Sequence, residues 1–364
     1  MRIGIVCPYS LTVPGGVQAQ VLGLARELRR RGHEARVLGP CDGPPPEPFV
    51  SPLGNSLPLS ANGSIAPLAP DPSAALRTLR VLADEEFDVV HLHEPLAPGP
   101  TATALMVQSA PTVATFHAAG TSASYRLLGP ALSRLIRRID RKVVVSKDAL
   151  ALVQGQLGGE YEVLFNGVEL DAIRSVAPWP REASPKRPSV FFCGRHEERK
   201  GLRVLIEAVQ RSNLDVDVWV AGTGPDTEEL SARTADDDRF QWLGRVSDDE
   251  KFARLRTADV FCAPSLGGES FGVVLIEAMA AGTTVVASSL DGYRNVASSE
   301  VDSLLVEPGD VDALAGALAM VIVDDDLAGR LRQAGEIRAQ AFAMTTLVDR
   351  YLEIYRSICP SSAD

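Results

Sequence analysis

Short apolar runs rich in β-branched residues alternate with helix-period segments in two successive series, and that alternation leaves this chain few folds to choose from. The first series places strands at residues 3–6, 35–38, 89–92, 112–116 and 142–145, with helical segments such as 17–31 between them. The second places them at 189–193, 217–221, 240–243, 260–263, 284–287 and 303–306. Such alternation predicts doubly wound parallel sheets with helices on both faces. At 364 residues the chain exceeds the size at which single cores stop growing, so two α/β domains are expected, 1–168 and 169–344. A Pro-rich, charged stretch at 178–188 reads as the linker. Residues 39–72, with ten prolines, read as an irregular excursion of the first domain. Leu347, Val348, Tyr351, Leu352 and Tyr355 recur at helical spacing, so the end of the chain, about 345–364, should form an amphipathic helix packed back on the first domain.

A formal charge of -11 argues against nucleic acid as a partner, because gripping a phosphate backbone needs a strongly basic surface. Five cysteines, odd in number and without C-x-x-C spacing, suggest neither a disulfide framework nor a zinc site, which fits a reducing cytoplasm. The apolar run at 3–7 is too short for a signal segment. The longest apolar stretch, 272–287, includes Glu277 and falls short of the roughly 20 residues that span a bilayer, so any membrane contact is expected to be peripheral.

Four segments carry chemistry. Pro14-Gly15-Gly16-Val17-Gln18 leads straight into a helix, where a glycine pair lets backbone approach an anion at the free amides; the alternative is an ordinary tight turn. Gly194-Arg195-His196-Glu197-Glu198-Arg199-Lys200-Gly201 follows a strand and offers a guanidinium and an ammonium to a diphosphate, or else is a solvated charged loop. The strongest signal is the Gly-rich turn and helix at 264–282, in which Glu269 and Glu277 stand eight positions apart. With a helix starting near Phe271, the amides of Phe271, Gly272 and Val273 would face an anion and Glu277 would lie about two turns along, one carboxylate near a sugar and the other near a ribose. Eight helical residues span up to about 12 Å, more than the carboxyl separations of glycoside hydrolases, so binding roles fit better than acid and nucleophile. Finally, Gly244-Arg245-Val246-Ser247-Asp248-Asp249-Glu250-Lys251 follows a strand, and Ser247 or Asp248 could cap the next helix. His91 and His93 share a strand face, but two nitrogens without a third ligand make a weak metal site.

Together the Glu-x7-Glu segment, the 194–201 segment, the Pro-Gly-Gly loop and Asn166-Gly167-Val168 resemble the retaining glycosyltransferases of family 4, over nearly the whole chain. Cys7-Pro8-Tyr9-Ser10, residues 13–18, His93-Glu94-Pro95, Ala114-Thr115-Phe116-His117 and residues 267–282 look most like the actinobacterial phosphatidylinositol mannosyltransferases. The resemblance implies the GT-B fold, two Rossmann-like domains facing across a cleft, the first binding the acceptor and the second the nucleotide sugar. It assigns Gly16, Arg195 and Lys200 to the donor diphosphate, Glu269 and the 271–273 amides to the sugar, Glu277 to the ribose, Val246, Asp248 and Lys251 to the base loop, and His117 to the transferred sugar. Tyr9, Gln18, Asn62 and Ser64 would meet the acceptor.

The implied donor is GDP-mannose and the implied acceptor the inositol of phosphatidylinositol, or another lipid or glycan hydroxyl, with no cofactor and no metal: Asp215-Val216-Asp217 enters a strand and Asp310-Val311-Asp312 opens a helix. With no side chain placed as a nucleophile, retention is expected by same-face attack. The enzyme is expected in the cytoplasm, in peripheral contact with anionic lipid at the inner face of the cell membrane. One departure weakens that contact. Pro67 and Ala69 stand where the resemblance implies arginines, and only Arg77 and Arg80 mark the next helix; each basic residue near an anionic surface is worth about 1 kcal/mol. Rival readings are another donor and acceptor within family 4, a nucleotide-sugar isomerase on the same fold, a non-catalytic nucleotide-sugar sensor, and a dinucleotide oxidoreductase suggested by Gly222-Thr223-Gly224, in which Thr227 stands at the third glycine position.

Overall fold

The computed structural model describes residues 1–61, 64–117, 134–181, 187–212, 214–269 and 271–359. The chain forms two compact units, Met1–Gly167 with Met344–Asp364, and Val168–Ala343.

The first unit is built on a seven-stranded sheet in the order β3-β2-β1-β6-β7-β8-β9, with every pair parallel. Its strands are β1 (Arg2–Val6), β2 (Glu34–Gly39), β3 (Val50–Pro52), β6 (Val89–His93), β7 (Thr112–Phe116), β8 (Arg141–Val144) and β9 (Glu162–Val163). Parallel neighbours need crossover helices, and these fall on both faces. Ile3, Ile5, Val89 and Val113 pack beneath α1 (Gly16–Arg30) and the C-terminal helix Met344–Ile358. On the opposite face Val6, Val90, Leu92, Ala114 and Phe116 pack with α2 (Pro72–Asp84), α3 (Pro100–Val107) and α4 (Lys147–Leu157). Period-2 alternation therefore puts His91, His93, Thr115 and His117 on the same face as Val89 and Val113, the side covered by the C-terminal helix. That helix buries Val348, Tyr351, Leu352, Ile354 and Tyr355, each worth roughly 1.5–3 kcal/mol at most.

Residues 39–72 are more ordered than their prolines imply. β3 adds an edge strand to the sheet, and β4 (Leu57–Ala61) pairs antiparallel with β5 (Ser64–Leu68) as a separate ribbon. A proline removes one ladder donor, which an edge strand or a two-stranded ribbon tolerates and a central strand does not. Asp71 then caps α2, accepting from the amides of Ser73 and Ala74, with Pro72 at the first helical position.

The second unit repeats the plan with six parallel strands ordered β12-β11-β10-β13-β14-β15, the 3-2-1-4-5-6 order of a Rossmann sheet. They are β10 (Ser189–Cys193), β11 (Asp217–Ala221), β12 (Phe240–Gly244), β13 (Val260–Ala263), β14 (Thr284–Ser288) and β15 (Leu304–Val306). The helices are α5 (Leu170–Ser175), α6 (Leu202–Ser212), α7 (Thr227–Arg233), α8 (Asp248–Leu255), α9 (Val273–Ala280), α10 (Asp291–Arg294), α11 (Val311–Val323) and α12 (Asp325–Gln340). Val190, Phe192, Val218, Val220 and Cys262 form one core with Leu205, Leu314, Leu318 and Leu331. On the other side of β10 and its neighbours, the Phe191 ring meets Trp219 and Phe261 edge-on. Where the second unit begins and ends, the Val168 amide donates to the Phe342 carbonyl at 2.8 Å. Among the described residues no helix is long and apolar enough to cross a membrane.

Candidate functional site

In an open α/β sheet, ligands sit beyond the carboxyl ends of the strands at the point where strand order reverses. In the second unit that point lies between β10 and β13, and the two segments singled out in the sequence meet there. After Cys193 the chain runs to a short turn at Glu198–Lys200, ended by Gly201 in a left-handed conformation, φ 68°. A Cβ on Gly201 would stand 1.8 Å from the Pro264 carbonyl oxygen, so only glycine lets the loops after β10 and β13 lie against each other. The Leu266 amide donates to the Arg199 carbonyl at 2.7 Å and locks that approach.

Lys200 is thereby carried to Glu269, with Nζ 2.5 Å from Oε1. Ser265 Oγ donates to the same oxygen at 3.2 Å, and Arg199 Nη1 lies 3.6 Å from it. Arg199 also pairs with Glu197 at 2.6 Å. Arg195 is half exposed and only 3.7 Å from Glu197, held loosely enough to turn toward a ligand. The sequence reading gave Arg199 and Glu197 no role, although both lie inside the charged segment it selected.

The helix after the Gly-rich turn begins later than expected. Gly272, at φ 90°, is the N-cap of α9, and the first helical amides belong to Val273 and Val274 rather than to Phe271 and Gly272. The Tyr293 ring explains the offset: a Cβ on Gly272 would stand 2.8 Å from Cδ1 of that ring, and the left-handed glycine turns the chain over it. Phe271 is buried and meets Phe342 edge-on.

Two turns along α9, Glu277 accepts from Lys251 Nζ at 3.0 Å, and Lys251 reaches Asp248 at 3.1 Å. Burial alone would depress the Lys251 ammonium, but the Glu277 and Asp248 carboxylates outweigh it and hold its pKa above the usual lysine range. Ser247 provides the cap of α8, accepting from the Glu250 amide at 3.1 Å, so the Asp248 carboxylate is not engaged as that cap and stands largely exposed. Val246, half-buried, precedes them. The Cys193 thiol lies near Lys251 and Lys200; burial pushes its pKa up to about 11, so it stays protonated.

Thr227, which breaks the G-x-G-x-x-G pattern, closes that loop onto itself. Its hydroxyl takes the Gly224 amide at 2.8 Å and lies 2.9 Å from His196 Nδ1. This turn is occupied by its own side chains rather than left open for a pyrophosphate.

In the first unit Gly16 is the first residue of α1, following the extended Gly15 cap. A Cβ there would meet nothing within 4 Å, and the residue is not among those with positive φ. Neither packing nor backbone angle requires glycine at this position, although glycine leaves the unfolded chain more freedom to lose than alanine would. The ends of β6 and β7 bring His93 and His117 together, Nδ1 to Nε2 at 2.8 Å. Glu94 holds a strained left-handed conformation, φ 49°, and its Oε1 accepts from the His117 amide at 2.6 Å. The sequence reading quoted Glu94 within a motif but gave it no role.

Gln20 clasps Gly167, its side chain accepting from the amide at 2.8 Å and donating to the carbonyl. A small cavity beside it is lined by His93, His117, Asn166 and Tyr351, and the Nε2 atom of His93 is buried without a partner among the described residues. His91 is not available to a metal: its two nitrogens lie 2.7 Å from the hydroxyls of Tyr355 and Thr115. Of the residues assigned to the acceptor, Gln18 is buried and donates to the Ser10 carbonyl at 3.3 Å. Tyr9 bridges to Leu68, and burial, then the Glu94 carboxylate, raise its phenol well above the usual range. Ser64 opens β5, and Asn62 lies outside the described residues.

Two Rossmann-like units, the second with a cationic loop, a carboxylate and a helix start gathered at its switch point, define a glycosyltransferase of the GT-B class. The chain belongs to glycosyltransferase family 4: residues 14–172 match the model described as Glycosyltransferase Family 4, and residues 187–324 that described as Glycosyl transferases group 1. It is 39% identical to the phosphatidyl-myo-inositol mannosyltransferase of Mycobacterium leprae (strain TN), over 100% of this chain and 98% of that protein. To the protein of the same description from Mycolicibacterium smegmatis it is 39% identical, over 98% and 94%. Among solved structures, the sucrose-phosphate synthase from Thermosynechococcus elongatus superposes with a TM-score of 0.76 at 21% identity, covering 98% of each chain.

Proposed function

We propose that this enzyme transfers mannose, with retention, from GDP-mannose to the inositol of phosphatidylinositol. The observation that carries the donor half is the meeting of Lys200, Arg199 and Glu269 beside the start of α9: cations for a diphosphate, a carboxylate for sugar hydroxyls, and helix amides for developing negative charge. Charge on the leaving diphosphate is then stabilised without a metal. The acceptor proton passes to the departing phosphate oxygen on the face the acceptor attacks. Glu277, tied to Lys251, takes the ribose hydroxyls, Val246 and Asp248 take the base, and Arg195 swings onto the diphosphate. His117, fixed by His93 and Glu94, contacts the transferred sugar. The acceptor rests on the name of the two mannosyltransferase relatives, each matched over nearly its full length.

A second acceptor is favoured by one observation. Pro67 lends its carbonyl to the Ser10 amide and Ala69 is fully buried, so this stretch offers no cation to a lipid phosphate. On α2, Leu76 and Leu79 are exposed beside Arg77 and Arg80, so contact with a membrane would be as much apolar as electrostatic. The deciding experiment is thermal-shift screening of GDP, UDP and ADP and their sugars, followed by transfer of labelled donor to phosphatidylinositol vesicles. GDP-mannose stabilisation with labelled lipid is expected. Preference for UDP would overturn the donor, unlabelled lipid the acceptor, an inverted anomer the retention, and inhibition by EDTA the absence of a metal.

Gly16 gives a two-sided check. Gly16→Ala is expected to stabilise the free protein by about 0.5–1 kcal/mol while weakening donor binding at least about tenfold. If donor affinity is unchanged, Gly16 does not face the diphosphate.

A further inference from the structure

Behind Glu269 lies a pair of hydroxyls that the donor chemistry above does not use. Tyr293 is fully buried, with its hydroxyl 3.0 Å from Ser265 Oγ, and Ser265 Oγ is 3.2 Å from Glu269 Oε1. The direction of each hydrogen bond follows from proton count. A carboxylate only accepts, so Ser265 spends its single proton on Glu269 and must accept from Tyr293. Burial, and then the Glu269 charge, raise the Tyr293 phenol well above its usual range, so it remains a donor. Both hydrogen bonds made to this carboxylate by the described residues, from Lys200 and Ser265, end on Oε1, and Arg199 Nη1 lies 3.6 Å from the same oxygen. Oε2 takes no hydrogen bond from the described residues.

We infer that Tyr293 and Ser265 are positioning residues, a relay that fixes the Glu269 carboxylate with Oε2 presented to a hydroxyl of the donor sugar. The inference rests on the reading of Glu269 as the sugar contact. Tyr293 has a second hold on the same place, because its ring lies against Gly272, where α9 begins. Tyr293→Phe keeps that ring and removes only the proton that orients Ser265. The relay therefore governs recognition of the sugar and leaves the bare nucleoside diphosphate unaffected, because the diphosphate is held by cations and amides.

The test measures kcat and KM for the nucleotide sugar, Kd for GDP and UDP by calorimetry, and Tm, in Tyr293→Phe, Ser265→Ala, their double variant, Ser265→Thr and Glu269→Gln. Tyr293→Phe should lower kcat/KM about 3- to 10-fold with Tm little changed, and Ser265→Ala about 10- to 30-fold with Tm lowered by a few degrees because the buried Tyr293 hydroxyl loses its acceptor, the affinity for the bare diphosphate staying near the parent value in both. Because Tyr293 acts only through Ser265, the double variant should be no worse than Ser265→Ala, and Ser265→Thr, which restores the hydroxyl, should recover most of the activity. Multiplying losses in the double variant, or diphosphate affinity falling in parallel with turnover, would overturn the relay. So would normal kinetics in both single variants while Glu269→Gln is impaired. Full activity in Glu269→Gln would instead remove the reading of Glu269 on which the relay stands.

Discussion

Lys200→Ala is expected to lower kcat/KM by about a hundredfold or more while the fold survives. One charge-assisted contact to a diphosphate is worth about 1.5–3 kcal/mol. Here the same ammonium also neutralises Glu269, whose side chain is only 11% exposed, and loss of one partner strands a largely buried carboxylate in the site. Both effects oppose a polyanionic donor. Arg195→Ala should cost less, about tenfold, because its side chain is 53% exposed and its ion pair among the described residues, with Glu197, is a loose 3.7 Å. Steady-state kinetics with donor varied, alongside thermal melts, distinguish chemistry from unfolding. Near-normal kinetics in both variants would remove these residues from the diphosphate site.

Acidification is expected to unfold the first unit before the second. Burial pushes His91 and His117 down to about 3, and burial with the neighbouring imidazoles holds His93 well below its usual value. In the unfolded chain each titrates near 6.5. Above that pH both states are neutral and stability is constant. As pH falls from about 6.5 toward 3 only the unfolded state takes up protons, so stability is lost across that window and levels off below it. The slope is about 1.4 kcal/mol per pH unit for each histidine, about 4 for the three, against total stabilities of about 5–15 kcal/mol.

The second unit carries one such group, His196, lowered by burial, and so has a shallower dependence. All three tryptophans, Trp179, Trp219 and Trp242, belong to the second unit. Between pH 6 and 4 far-UV circular dichroism should therefore lose amplitude before tryptophan fluorescence changes. Coincident transitions, or a Tm that stays flat from pH 7 to 5, would show that the buried imidazoles do not govern acid stability.

Much of the architecture was legible because a parallel strand announces itself locally. The runs at 112–116, 189–193 and 217–221 coincide with β7, β10 and β11 to the residue, since burial on both faces makes such strands short, mostly apolar runs bounded by turn residues. The ribbon of β4 and β5 was hidden by proline, whose lost donors matter little where a strand has one neighbour. The start of α9 was misplaced by two residues because the determinant, the ring of Tyr293, lies 20 positions away on another loop. The same limit applies to the sites. His91 and His93 could be seen to share a face, but not that Tyr351 and Tyr355, one helical turn apart at the other end of the chain, lie against His91. Nor could Ser265 be paired with Tyr293 across 28 residues, for no periodicity records a contact between two turns.

The C-terminal helix belongs to the unit that begins the chain, and this reverses the usual order of events during synthesis. Val168–Ala343 is one continuous stretch and is complete once residue 343 has left the ribosome. The earlier half must wait, with Val89, His91 and Val113 uncovered, until Tyr351 and Tyr355 emerge some 180 residues after Gly167. Although translated second, Val168–Ala343 is able to complete its fold first.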